Sequence, residues 1–130
     1  MQNGMVDIVI FGCDRATANG DVANKIGSYL KALAAVDNNI PVYSAFPVST
    51  FDLSLNNFHD IPVEVREAKE VRTVEGLGQD GITEVLVCPE DAPVANYGFD
   101  VTPARLLTGL ITDKGICKAD KESIINMLKY

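Results

Sequence analysis

The stretch GCDRATANGDVANKIG, Gly12–Gly27, decides how this chain is read. It follows Val6–Phe11, an apolar run in which Val6, Ile8, Val9, Ile10 and Phe11 are β-branched, aromatic or both buried-strand formers. A buried strand that ends in Gly and gives way to a polar turn and an amphipathic helix is how open α/β sheets present chemistry at the carboxyl ends of their strands. Asp14 and Arg15 are therefore expected at the rim of a sheet. Asn19-Gly20 is a turn dipeptide, and Asp21 reads as the N-cap of a helix beginning at Val22. Val22, Ile26, Tyr29, Leu30, Leu33 and Ala34 would form the buried face of that helix. Asn24 and Lys25 would lie in its first turn, where the helix dipole favours an anion. One carboxylate, one amide and one ammonium then converge on a small polar ligand. The same residues also suit an ordinary solvated Asp14–Arg15 pair and an i,i+4 pair of Asp21 with Lys25. The glycines match neither a dinucleotide nor a P-loop fingerprint, so no nucleotide cofactor is expected.

Working outward, Asp37-Asn38-Asn39 ends the first helix and Pro41–Phe46 reads as the next strand, which makes a parallel βαβ unit. Ser49, Thr50 and Asp52 follow at its carboxyl end. They either line a pocket or, through Ser49 and Asp52, form a reciprocal helix cap. Ile61–Val65 and Val71–Val74 read as short strands, and residues 75–83, with Gly76, Gly78 and Gly81, as a flexible connector. Asp100-Val101-Thr102-Pro103 has the pattern of a helix start, Thr102 capping and Pro103 in the first helical position. Leu106, Leu107, Leu110 and Ile111 would then be a buried helical stripe, with Gly115 as its stop. Lys121–Lys129 reads as an amphipathic helix with Ile124, Ile125 and Leu128 inward. The expected fold is α/β, a three-layer Rossmann-like domain with a mainly parallel sheet, spanning 1–130 as a single domain.

Composition sets limits on function. The chain has 130 residues and a formal net charge of −7, with its carboxylates scattered. This argues against binding a nucleic-acid backbone through a broad basic face. Apolar runs fall far short of the roughly 18 residues a membrane span needs, so no membrane partner and a cytoplasmic location are expected. Cys13, Cys88 and Cys117 are odd in number and far apart, and His59 is the only imidazole. Neither a disulfide framework nor a metal site is expected. Cys13 beside Asp14 is a candidate nucleophile, although a reduced, buried thiol is the default. His59 titrates near neutrality and is a candidate general base.

The runs GCDRATANGDVANKIGSY, IPVYSAFPVSTFDLSL, IPVEVREAKEV and FDVTPARLLTGLITDKGI occur in one collinear order. Together they resemble the carboxyl-terminal half of the methylthioribose-1-phosphate isomerase family. Its superfamily includes ribose-1,5-bisphosphate isomerase and the regulatory subunits of initiation factor 2B. The resemblance implies a ribose-isomerase-like fold and an aldose–ketose isomerisation of a phosphorylated pentose in methionine salvage. It implies Asp14 as the catalytic acid–base and Asn24 and Lys25 as substrate-binding residues. It further implies a homodimer, and an amino-terminal half, fused or separately encoded, that carries the family's phosphate-contacting residues and its cysteine. The rival readings are a ribose-1,5-bisphosphate isomerase and a non-catalytic regulatory subunit.

Overall fold

Only the last three residues of the apolar run enter a sheet. In the computed structural model, which describes residues 1–129, the elements run β1 (Val9–Phe11), β2 (Arg15–Thr17), β3 (Val22–Lys25), α1 (Ser28–Asp37), β4 (Val42–Ala45), β5 (Phe51–Asp52), α2 (Lys69–Arg72), β6 (Thr73–Gly78), β7 (Gly81–Leu86), β8 (Phe99–Thr102), β9 (Gly109–Thr112), β10 (Gly115–Cys117) and α3 (Lys121–Leu128). Single 3-10 turns lie at Val48–Thr50, Phe58–Asp60 and Ala104–Leu106. The contacts divide the chain into two units where the sequence suggested one: Met1–Pro62 with the residues from Phe99 onward, and Val63–Gly98.

The first unit is α/β with two mixed sheets. One sheet is ordered β1-β4-β9-β10, parallel from β1 through β9 and closed by the antiparallel β9–β10 hairpin. The other is ordered β5-β2-β3-β8, with one parallel pair, β2–β5, and two antiparallel ones. The expected βαβ unit is present as β1, α1 and a parallel β4. Val42, Leu110, Val22 and Ile124 are fully buried and anchor the core. Ser44, also buried, donates its hydroxyl to the Gly12 carbonyl at 3.1 Å.

The expected helix from Val22 and its cap are corrected. The helix placed at Val22 is a strand until Lys25, and helix α1 starts only at Ser28. Asn19-Gly20 instead closes a β2–β3 hairpin, the connection such a dipeptide favours most. Gly20 has φ +91, and a Cβ there would meet the backbone of Ala119 at 2.7 Å. Gly27, at φ +100, is left-handed and blocks any continuous helix from Val22 onward. Asp21 does not cap α1. It is buried, and accepts the Ala104 N–H at 2.9 Å.

The face of α1 shifts as a consequence. Ala32 and Ala35 are buried while Leu30 is 69% exposed and Leu33 and Val36 are exposed as well. Two small side chains let the helix axis lie close to the sheet. The helix expected after Pro103 is a single 3-10 turn followed by strand β9. Gly109 explains this: its Cβ position lies 2.9 Å from the Cys117 carbonyl, so β9 packs backbone to backbone with β10. The last helix is as expected, although Ile125 is exposed while Ile124 is buried. Asp120 caps it, accepting the Ser123 N–H at 2.8 Å.

The second unit carries α2 and the antiparallel β6–β7 hairpin in place of the expected connector. Gly78 and Gly81 pair at its tip, where Gly81 takes φ +116. Leu77 and Ile82 face each other across the hairpin and are 87% and 80% exposed. Arg66 and Glu70 form a two-pronged ion pair, both distances 2.8 Å, and Val65 bridges to Tyr97.

Candidate functional site

Residues 12–14 carry the chain from β1, in one sheet, to β2, in the other. The Asp14 N–H donates to the Ala23 carbonyl at 2.8 Å, and Arg15 pairs with Ala23 in the antiparallel ladder. Asp14 therefore sits at the end of the β2–β3 ladder, held against Ala23, the residue before Asn24. The Asn24 side-chain Oδ1 lies 3.5 Å from where a Cβ on Gly12 would be, which puts the amide beside the segment that leads to Asp14. Asn24 is itself held: its Nδ2 donates to the Ser28 hydroxyl at 2.8 Å, and that hydroxyl donates to the Lys25 carbonyl at 2.8 Å. The start of α1 thus orients the amide even though Asn24 is outside the helix.

Lys25 follows Asn24 on a strand, and successive strand side chains leave opposite faces. The expected convergence of amide and ammonium in one helical turn is therefore replaced by a strand end, with Lys25 exposed and paired in register with Phe99. Asp14 is exposed too.

Two recesses flank Asp14 and Arg15. The larger, about 510 Å³, is polar and is lined by Ser49, Thr50, Phe51, Asp52 and Leu53 together with that pair. Of the two readings of Ser49, Thr50 and Asp52, the pocket wall is the one realised; the 3-10 turn there has no side-chain cap. The Arg15 Nη1 donates to Asp52 at 3.2 Å, and Asp52 also accepts from the Ser54 hydroxyl at 2.6 Å and the Ser54 N–H at 3.2 Å. The Ser54 hydroxyl, more than Arg15, holds the Asp52 carboxyl below its ordinary range. The smaller recess, about 150 Å³, lies against Ala23, Ile61, Pro62 and Phe99. Local pattern gives no hint of Ile61, Pro62 and Phe99, because this wall is assembled from segments far apart in the chain.

Other candidates fall outside. Burial pushes the Cys13 thiol up to about 12, so it holds its proton at neutral pH and is no nucleophile. His59 is exposed in the Phe58–Asp60 turn, its N–H bonded to Asn57 and its ring against Phe58. Asp100 is structural: its carboxylate accepts the Gly27 N–H at 2.6 Å and the Tyr29 N–H at 3.1 Å, satisfying the start of α1 from β8. Among the described residues no group of three or more His, Cys, Asp or Glu is placed to hold a metal ion, and no helix is long and apolar enough to cross a membrane.

Fold and site define an α/β protein of mixed sheets with a polar recess beside a strand-end carboxylate. The chain belongs to the Initiation factor 2 subunit family, which matches residues 1–119. It is 56% identical over 126 residues to the methylthioribose-1-phosphate isomerase of Sulfurimonas denitrificans, covering 95% of this chain and 35% of that protein. Among solved structures, the 5-methylthioribose 1-phosphate isomerase from Pyrococcus horikoshii is similar with a TM-score of 0.85 and 41% identity, over 98% of this chain and 34% of that one. The initiation factor eIF-2B delta subunit from A. fulgidus is similar with a TM-score of 0.83 and 35% identity, over 99% of this chain and 35% of that one. The chain spans about a third of the length of the curated relatives it matches.

Proposed function

We infer that this chain is the part of an aldose–ketose isomerase that carries its acid–base carboxylate, converting S-methyl-5-thioribose 1-phosphate to S-methyl-5-thioribulose 1-phosphate in methionine salvage. The observation that carries this reading is Asp14 held to β3 through the Ala23 carbonyl, with the Asn24 amide beside Gly12 and a polar recess alongside, in a chain 56% identical to an isomerase of that name. In this reaction the phosphate on the anomeric oxygen blocks simple ring opening. An acid must assist at the ring oxygen before a proton or hydride moves between the first two carbons. Asp14 takes that acid–base part, and Asn24 and Lys25 orient sugar hydroxyls or phosphate. An exposed Asp14 needs a cover that excludes water from the reacting atoms. The segment that covers it belongs to the two thirds of the relatives' length outside this chain, as a fused or separate amino-terminal part. The half-exposed Ile8 and Ile10 beside the open edge strand β1 favour such a partner.

The same reading takes the parallel β1–β4–β9 run with α1 as the centre of a Rossmann-like, three-layer domain, equivalent to the carboxyl-terminal catalytic domain of the relatives. A cytoplasmic homodimer completes it. The likeness to an initiation-factor subunit supports a second reading, a regulatory module that binds ligand without turnover. Methylthioribose 1-phosphate and ribose 1,5-bisphosphate are to be assayed side by side, with this chain alone and with the remaining part of the Sulfurimonas relative added. The isomerase reading expects turnover of the methylthio substrate on complementation and little by the chain alone. Binding without turnover by the complemented protein selects the regulatory reading.

A further inference from the structure

Asp21 takes no part in the site around Asp14, and it lines a recess of its own. The residue is only 8% exposed. Its N–H donates to the Thr17 hydroxyl at 3.1 Å, and one carboxylate oxygen accepts the Ala104 N–H at 2.9 Å. The other oxygen takes no hydrogen bond among the described residues, yet it is not sealed from solvent, so it opens onto the recess that Asp21 lines. That recess, about 530 Å³, is walled mainly by Tyr29, Phe58, Val101 and Pro103, and it shares no lining residue with the two beside Asp14. Exposed Arg105 lines it as well. Among the described residues Asp21 and Arg105 form no ion pair, with each other or with a third group. Carboxylates buried this deeply are normally paired with a cation.

We propose that this recess is a second binding site, for a small zwitterion with an apolar body: its amine donates to the free oxygen of Asp21, its acidic group meets Arg105, and its apolar part lies against Phe58, Val101 and Pro103. A simple cation fits less well because Arg105 repels it, and a simple anion because Asp21 does. A neutral apolar molecule answers neither charge. An α-amino acid with a large apolar side chain has all three parts, and the volume falls in the range of small-molecule sites, roughly 300–1,000 Å³. The inference is independent of the isomerase reading. A hydrogen bond to a charged group changes affinity by about tenfold or more, so a molecule lacking either charge should bind at least that much more weakly.

The test is a titration of the isotope-labelled chain with L-phenylalanine, phenethylamine and 3-phenylpropionate, three probes that share one ring, read by NMR at individual residues. L-phenylalanine is expected to shift the Phe58 ring, Val101 methyl and Ala104 amide signals saturably, and each one-charge probe to bind about tenfold or more weakly. Asp21→Asn keeps an acceptor for the Ala104 N–H while removing the charge, and Arg105→Gln alters an exposed position. The first should remove the advantage of L-phenylalanine over 3-phenylpropionate, and the second its advantage over phenethylamine. No saturable shift at Phe58, Val101 and Ala104, equal affinity for the three probes, or an unchanged preference in either variant overturns the site. Signals there that move with protein concentration and not with probe also overturn it, and assign the recess to a second copy of the chain. None of these outcomes bears on turnover at Asp14.

Discussion

Cys13 and Asp14 are neighbours in the sequence with opposite surroundings. Cys13 turns inward against the core residues around Phe46 and Leu110, and Asp14 outward. Desolvation penalises the thiolate, which raises the thiol from an ordinary value of 9.0 to about 12. The unfolded chain therefore loses this proton first as pH rises. Folding stability contributed by the buried thiol is fully present below pH 9 and is lost between about 9 and 12. Urea denaturation of wild type and Cys13→Ala across that range checks the sign: only wild type should show the extra loss. At pH 8, iodoacetamide should label Cys13 far more slowly in the native chain than in urea. Asp14 itself was legible because strand, Gly and polar turn form a local pattern. Its exposure was not, since no local pattern records what covers a strand end.

Asp100 acts at the scale of elements, because one carboxylate on β8 satisfies two N–H groups at the start of α1, more than 70 residues away in sequence. Removing it in Asp100→Ala should destabilise the first unit by about 0.5–2 kcal/mol, the usual worth of a helix cap, measured by urea denaturation. Gly20→Ala should cost more than about 1 kcal/mol, because it combines a strained φ with a clash against Ala119. Gly20→Ala reports on the hairpin that stands where a helix was expected, and Asp100→Ala on the start of α1.

The sequence was misread there for an identifiable reason. Val22, Ile26, Tyr29 and Leu33 do repeat at helical spacing, but the Asn-Gly turn before them and the left-handed Gly27 among them act more locally and decide the backbone. After Pro103 the same conflict recurs. Leu106 and Leu110 keep a helical spacing while Gly109 demands backbone contact, and the strand wins. The apolar strands β1 and β4 and the capped helix α3 were legible because pattern and tertiary demand agree in them.

At the scale of the whole molecule, the two units differ in how much they bury. Unit Val63–Gly98 relies on the β6–β7 ladder and surface ion pairs, with Leu77 and Ile82 open to solvent. Amides of the hairpin should therefore exchange hydrogen well before those of β4 and β9, whose Val42 and Leu110 are fully buried. Equal protection in the two would contradict this picture of their packing. The first unit contains every residue assigned to the site, and its open edge at β1 is where the remaining length of the relatives is proposed to attach.

The most direct test of the proposed chemistry is the isomerisation rate of S-methyl-5-thioribose 1-phosphate by the complemented protein carrying Asp14→Asn, with folding checked by circular dichroism. Loss of a positioned acid–base group predicts a fall of about 10²–10⁴-fold in kcat with the fold intact. A rate equal to that of the unsubstituted protein would contradict the assignment of Asp14.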